Sequence, residues 1–300
     1  MRLSRLFLMH PGTILYYYLW AGEYKYAFVF QHMSFKQNLA KILRQAGVIF
    51  AFDYFRYLLI KSRSTARNKL FLQAHPGLAL PAPYMIYETF RLDYQRYYES
   101  GKATAVEIKD EVSKYKPLVN CNILDWGCGP GRVIRHMPEV IGNGCTFYGS
   151  DYNDDYVNWC SANLPGITFK KNELAPPLKF DSGTMDLIYS ISIFTHLSEP
   201  RHHEWFNEML RVARKGSILY ISTHGDVTRG NLTTSELSIY DSGNLVVRGN
   251  VKEGHRMFTA YQPIPFMHKL FAGKVKILEH QPGTKQSWGY QQDLWILEKL

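Results

Sequence analysis

The sequence predicts an α/β fold, a mostly parallel sheet covered on both faces by helices and preceded by a helical extension. Three observations carry this. From Asn122 onward, short apolar runs alternate with amphipathic stretches, the pattern of a sheet buried on both sides. A glycine-spaced turn, Asp125-Trp126-Gly127-Cys128-Gly129-Pro130-Gly131, follows the first of those runs directly. Before residue 80 the composition is different: basic, aromatic and without the alternation.

The elements follow in order. Ser34 is suited to cap a helix over 35–45 that Gly47 would stop, and Val48–Lys61 reads as a second helix. Ala74–Pro83, with three prolines and a glycine, reads as a linker. Tyr84–Glu99 and Ala103–Tyr115 are expected as two further helices. Strands are expected at Ile123–Trp126, Thr146–Ser150, Ile167–Lys170, Met185–Ser190 and Ser217–Thr223, with helices at Arg132–Met137, Asp154–Asn163 and Glu199–Arg214. Ser198 is placed to cap the last helix, Pro200 sits in its first turn, and Gly216 is expected to end it. A hairpin is expected from Leu237–Tyr240 and Leu245–Arg248 around Asp241-Ser242-Gly243-Asn244. Val275–Glu279 and Asp293–Leu297 close the chain as strands. The expected division is a helical extension over 1–80 and a main domain over 81–300, with its core at 117–300.

The net charge of +9 is concentrated at one end: residues 1–75 carry eleven Lys/Arg against only Glu23 and Asp53, and the rest of the chain is balanced. Sixteen of the 44 aromatic residues also lie there. A basic, aromatic segment suits an anionic partner, whether a membrane surface, a charged glycan or a nucleic acid; the plain alternative is a helical cap whose Lys and Arg face water. Neither 1–20 nor 47–60 offers the ~20 uninterrupted apolar residues of a spanning helix. The four cysteines include no C-x-x-C pair and no metal-ligand spacing, so a cytoplasmic chain with reduced thiols and no metal is expected.

The glycine turn carries the chemistry. Glycines at alternate positions let the backbone approach a ligand closely, and the helix after them aims free N–H groups at it. Asp151, twenty residues beyond Gly131, falls at the end of the second strand, where an open α/β sheet places an acid against ribose hydroxyls. The spacing does not fit a G-x-G-x-x-G dinucleotide fingerprint, and a G-K-[ST] phosphate loop is absent.

Asp125, Gly127, Gly129 and Gly131, with Asp151, resemble the motif set of the class I S-adenosylmethionine-dependent methyltransferases over residues 117–300. That resemblance implies a seven-stranded Rossmann-like sheet of order 3-2-1-4-5-7-6 whose last strand is antiparallel. It implies S-adenosyl-L-methionine as cofactor, held by Asp125, Gly127, Cys128, Gly129, Gly131, Asp151, Tyr152 and Ser190, with Asn172 and Glu173 near the adenine. His196 after the fourth strand and His224 after the fifth are the candidate catalytic residues, because neighbouring strands would face both imidazoles into one crevice. Tyr189-Ser190-Ile191-Ser192 replaces the Asn/Asp-Pro-Pro-aromatic motif of DNA amino-methyltransferases, which argues against modification of DNA bases. The region 225–266, with Arg229, Tyr240, Arg248, His255, Arg256 and Tyr261, is expected to lie over the site. The function so implied is methyl transfer to O or N of a small-molecule or glycan-like acceptor. The alternatives are a non-catalytic cofactor-binding module and an RNA methyltransferase.

Overall fold

The computed structural model describes residues 15–21, 24–30, 49–142, 144–249, 251–287 and 289–300. The expected helix over 35–45 lies outside the described residues. Within the expected helical extension, β1 (Leu15–Ala21) and β2 (Tyr24–Phe30) instead pair as antiparallel strands, Ala21 opposite Tyr24. Tyr, Phe, Val and Trp dominate both runs, and these residues favour the pleated backbone over the helix. Helix α1 (Ile49–Ala74) then runs well past the expected stop at Lys61. Helices α2 (Pro83–Thr89) and α3 (Tyr94–Ser113) follow. The break between them falls at 90–93, not near Glu99, because Asp93 caps α3 by accepting the Arg96 N–H at 3.0 Å.

The central sheet holds β3 (Asn122–Trp126), β4 (Thr146–Asp151), β5 (Ile167–Lys171), β6 (Met185–Ser190), β7 (Ala213–Thr223), β10 (Val275–Gln281) and β13 (Asp293–Lys299). Its spatial order is β5-β4-β3-β6-β7-β13-β10. Counted along the chain this is 3-2-1-4-5-7-6, with β13 antiparallel to both neighbours. The expected sheet is the one observed. Short elements complete the unit: α4 (Met137–Ile141), α5 (Asp154–Asn163), α6 (Glu199–Val212), α7 (Thr234–Asp241), α8 (Ile264–Phe271), and two pairs of short strands, β8 (Val246–Arg248) with β9 (Thr259–Tyr261) and β11 (Lys285–Gln286) with β12 (Gly289–Tyr290).

Alternation along the strands builds two apolar layers. Leu124, Ile188, Leu219 and Ile221 face Trp205, Phe206 and Met209 of α6 and Phe266, Met267 and Leu270 of α8. Ile123, Leu187, Ile218 and Tyr220 face Ala105, Ile108 and Val112 of α3. A third cluster, Tyr57 and Phe71 with Ile86, Tyr87, Tyr94 and Tyr97, docks α1 onto α2 and α3.

Four local expectations are corrected. The stretch 132–137 forms a 3₁₀ turn at Ile134–His136 before α4, not one α-helix. Leu237–Tyr240 belongs to α7, because Thr233 and Glu236 close a reciprocal capping box; β8 pairs instead with β9. The Ser198 side chain makes no cap bond, although Pro200 does occupy the first turn of α6. Gly216, at φ +72°, lies inside β7 and not at the helix end: Ala213 is already extended, and the β6–β7 register shifts between Met185 and Leu187. Among the described residues, no helix is long and apolar enough to cross a membrane.

Helix α3 meets the chain after the glycine turn with no room to spare: a Cβ at Gly101 would lie 2.1 Å from the Arg132 carbonyl oxygen. Because the obstacle is backbone, Gly101→Ala is expected to cost ~2 kcal/mol or more. Thermal unfolding checks this, and an unchanged melting temperature would show that the two elements separate freely.

Candidate active site

The turn after β3 is built on β4. Gly127 and Cys128 both donate their N–H groups to the Ser150 carbonyl, at 2.8 and 3.0 Å, and Gly129 donates to the Asp151 carboxylate at 2.9 Å. The other carboxylate oxygen of Asp151 accepts from the Asn153 N–H at 2.9 Å. These bonds need a backbone that curls back on itself, so Gly127 sits at φ +80° and Gly129 at φ +52°. At Gly127 a Cβ would come within 2.2 Å of Ile193 Cδ1. At Gly129 its nearest neighbour would be the Thr89 methyl at 3.4 Å, on the far wall of a cavity of about 760 Å³.

That cavity collects most of the residues singled out in the sequence. Asp125, Gly127, Cys128, Gly129, Asp151, Tyr152, Asn172, Glu173 and His196 all line it. Asn172 is held by Ser150, whose hydroxyl donates to its Oδ1 at 2.6 Å, and by its own N–H to the Asp151 carbonyl at 3.0 Å. The Tyr152 ring lies under the Lys252 ammonium, 5.7 Å from its centroid, and its hydroxyl donates to the Gly254 carbonyl at 3.4 Å. Three expected residues do not reach the cavity. Gly131 packs against Leu164 and Cys160, where a Cβ would lie 2.6 Å from Leu164 Cδ1. Ser190 is fully buried at the end of β6 with its hydroxyl unpartnered. His224 lies behind Tyr261, with ring centroids 5.2 Å apart.

Both acids sit in a dry environment. Burial pushes the Asp125 carboxyl up to about 7, against the opposing pull of the Tyr189 hydroxyl and the Arg132 charge. Burial likewise raises Asp151 to about 6, and the backbone N–H groups of Asn153 and Gly129 work the other way. A group carrying positive charge, or hydroxyl donors, would complete both carboxylates.

His196 is fixed by a single strong contact: its Nδ1 lies 2.6 Å from the Phe258 carbonyl oxygen. A carbonyl only accepts, so the proton is on Nδ1 and the lone pair is on Nε2. Burial holds this imidazole below the ordinary histidine range and therefore neutral. His224 is tied the same way to the Ala260 carbonyl at 2.9 Å, and burial lowers it to about 4. Of these two histidines His196 lines the cavity and His224 does not, so the two candidate imidazoles do not share one crevice.

Sequence reasoning missed one wall entirely. Glu88, Thr89 and Phe90 at the end of α2, and Thr104 and Glu107 on α3, line the cavity opposite the glycine turn. The Tyr97 hydroxyl donates to the Pro130 carbonyl at 2.9 Å, which joins α3 to the turn itself. A glycine inside a helix, Gly101, was the available signal. Among its described residues, the region expected to cover the site does so through Lys252, Gly254, His255 and Arg256. Arg229 pairs with Asp241, Arg248 with Glu236, and the Tyr240 hydroxyl donates to Asp226, so these side chains stabilise the region internally. The covering segment is fastened from α1: Arg256 pairs with Asp53, which also accepts the Tyr87 hydroxyl at 2.8 Å. In turn the Gly254 N–H donates to the His196 carbonyl at 3.0 Å.

Residues 123–216 match the family model described as a methyltransferase domain. Among solved structures, an S-adenosylmethionine-dependent methyltransferase from Methanosarcina mazei is 17% identical with a TM-score of 0.51, covering 63% of this chain and 97% of its own. A Galdieria sulphuraria protein assigned as a sarcosine dimethylglycine methyltransferase is 13% identical with a TM-score of 0.50, covering 78% of this chain and 98% of its own. At such identities the likeness is one of fold. Residues 123–216 match a methyltransferase domain, and the strand order and glycine turn are those of the class I, Rossmann-like methyltransferase fold. A methyltransferase domain on this fold is consistent with S-adenosylmethionine as cofactor.

The donor set fits that cofactor: two buried carboxylates face a cavity into which Gly129 projects no side chain. Asp151→Ala removes a charged acceptor and is expected to weaken S-adenosylmethionine binding about 10- to 100-fold by isothermal titration calorimetry. Unchanged affinity would remove Asp151 from the binding set. A second expectation concerns pH. In the free protein Asp125 holds its proton up to about 7 and Asp151 up to about 6. A ligand bearing a sulfonium and an ammonium favours both ionised, so binding expels protons below those values. Affinity therefore rises as pH climbs through that window and levels off above it. Titrations in buffers of different ionisation enthalpy read the proton count directly, and proton uptake on binding would contradict the assignment.

Proposed function

We propose that the enzyme methylates an oxygen or nitrogen of a small-molecule or glycan-like acceptor, with His196 as the base that takes the acceptor's proton. The observation that carries this reading is the tautomer of His196: its Nδ1–H is committed to Phe258, so a neutral Nε2 lone pair is left on the wall of the cofactor cavity.

Asp125, Gly127, Cys128, Gly129, Asp151, Tyr152, Asn172 and Glu173 are the residues proposed to hold the cofactor. Bound there, S-adenosylmethionine supplies a methyl carbon made electrophilic by its sulfonium. His196 Nε2 would take the proton that the acceptor's oxygen or nitrogen gives up on methylation. The cavity walls orient the acceptor and exclude water, from which much of the acceleration comes.

The acceptor side supports a polar substrate. Ser192, Ser222 and Gln292 line it as a connected network: Gln292 Nε2 donates to the Ser192 hydroxyl at 2.8 Å, and the Ser222 hydroxyl donates to Gln292 Oε1 at 2.7 Å. Across from them the Tyr220 hydroxyl lies 3.4 Å from the Glu107 carboxylate. Burial raises Glu107 above the ordinary carboxylate range. Such a lining suits hydroxyl-bearing compounds, whose donors and acceptors find partners there.

Incubation of a metabolite extract with methyl-labelled cofactor identifies the acceptor. With that acceptor, His196→Ala is expected to lower kcat about 100-fold or more while leaving cofactor affinity in place. Full turnover in His196→Ala would reduce the imidazole to a structural role.

A further inference from the structure

Helix α1 is apolar on two sides. One side, including Tyr57 and Phe71, is buried against α2 and α3. The other carries Phe52, Phe55, Leu58 and Leu59, each between 44% and 58% exposed. At 3.6 residues per turn these four form one stripe, with Arg56 and Arg63 along one edge and Lys61 along the other. An apolar stripe this exposed requires a partner, and basic residues on both flanks give it the layout of a helix lying in the plane of a bilayer interface.

The charge pattern identifies that partner. Asp53 is the only acid in α1, and it is buried and paired with Arg256. Among the described residues Arg56, Lys61, Arg63 and Lys69 make no ion pair. A second copy would bring the same acid-free, cationic face against this one, and the two would repel. A nucleic acid would meet aliphatic and aromatic side chains at the centre of the face where its phosphates need cations. An anionic bilayer satisfies both parts: the stripe enters the acyl boundary and the long basic side chains reach back to the headgroups.

We infer that the outer face of α1 docks the enzyme on an anionic lipid surface. The face of α1 opposite the stripe holds the covering segment of the cavity, since Asp53 pairs with Arg256 and the Phe50 ring meets His255 edge-on at 5.3 Å. Docking therefore sets the covered side of the cavity about one helix diameter, roughly 10 Å, from the membrane and favours an acceptor carried on lipid. That consequence rests on the proposed methyl transfer; the docking itself does not.

The full chain is sedimented with vesicles of phosphatidylcholine mixed with phosphatidylglycerol and, in parallel, with phosphatidylcholine alone. Retention is expected on the mixed vesicles only, and it weakens as salt is raised. Arg56→Gln combined with Arg63→Gln is expected to lower the partition about 25-fold, roughly fivefold per cation. Phe55→Ser combined with Leu59→Ser is expected to lower it about tenfold or more. All four side chains face outward, and circular dichroism verifies that each variant is folded. Cofactor affinity by calorimetry stays at the wild-type value in both variants. A wild-type chain that docks but binds no cofactor would strike the enzyme reading and leave the docking standing. Retention on neither vesicle, equal retention on both, or retention unaltered in both variants would overturn the inference. So would a self-association or an RNA complex that Phe55→Ser/Leu59→Ser abolishes while vesicle binding persists.

Discussion

The buried carboxylate of Asp151 is the constraint around which this site is arranged. A carboxylate with little access to water is costly, and burial raises its pKa accordingly. Two backbone N–H groups from different turns, Gly129 and Asn153, offset part of that cost. The neighbouring Ser150 carbonyl accepts from Gly127 and Cys128, and the Ser150 hydroxyl anchors Asn172. The C-terminal ends of β3, β4 and β5 are thereby joined into one hydrogen-bonded rim. A rim of this kind is preorganised: ligand contacts are made without first fixing the chain that makes them.

Histidine chemistry at the site follows from an element remote in sequence. Phe258 and Ala260, two residues apart, present their carbonyls to His196 and His224, and each takes an Nδ1–H. The two imidazoles share a tautomer and a depressed pKa, yet differ in what covers them. Tyr261 stacks on His224, whereas His196 meets the cavity. The same segment reaches back to α1 through Arg256, so a helix outside the sheet helps fix the orientation of a side chain at its centre.

The parts of this fold that were legible in the sequence are those set by local chemistry. Strands such as Met185–Ser190 are continuous apolar runs, and the Asp125–Gly131 turn needs positive φ that glycine alone supplies freely. Misreadings arose where two local signals competed or where contacts were distant. Leu237–Tyr240 alternates like a strand, but the capping box at Thr233 and Glu236 starts a helix just upstream. The partner of β8 lies at Thr259–Tyr261, beyond the reach of hairpin reasoning. The cavity wall from Glu88 to Glu107 carried no motif, because its role comes from α3 packing on the glycine turn through Tyr97 and Gly101. Ser190 illustrates the opposite error: the strand was placed correctly, but its last side chain points into the protein.

The most direct test of the account is a backbone amide NMR titration with S-adenosylhomocysteine, the product left after methyl transfer. The account predicts that the amides of Gly127, Gly129, Asp151, Tyr152 and Asn172 shift together on one saturable curve, while those of α8 hold their positions. Saturating ligand that leaves the glycine turn and the end of β4 unmoved would contradict it.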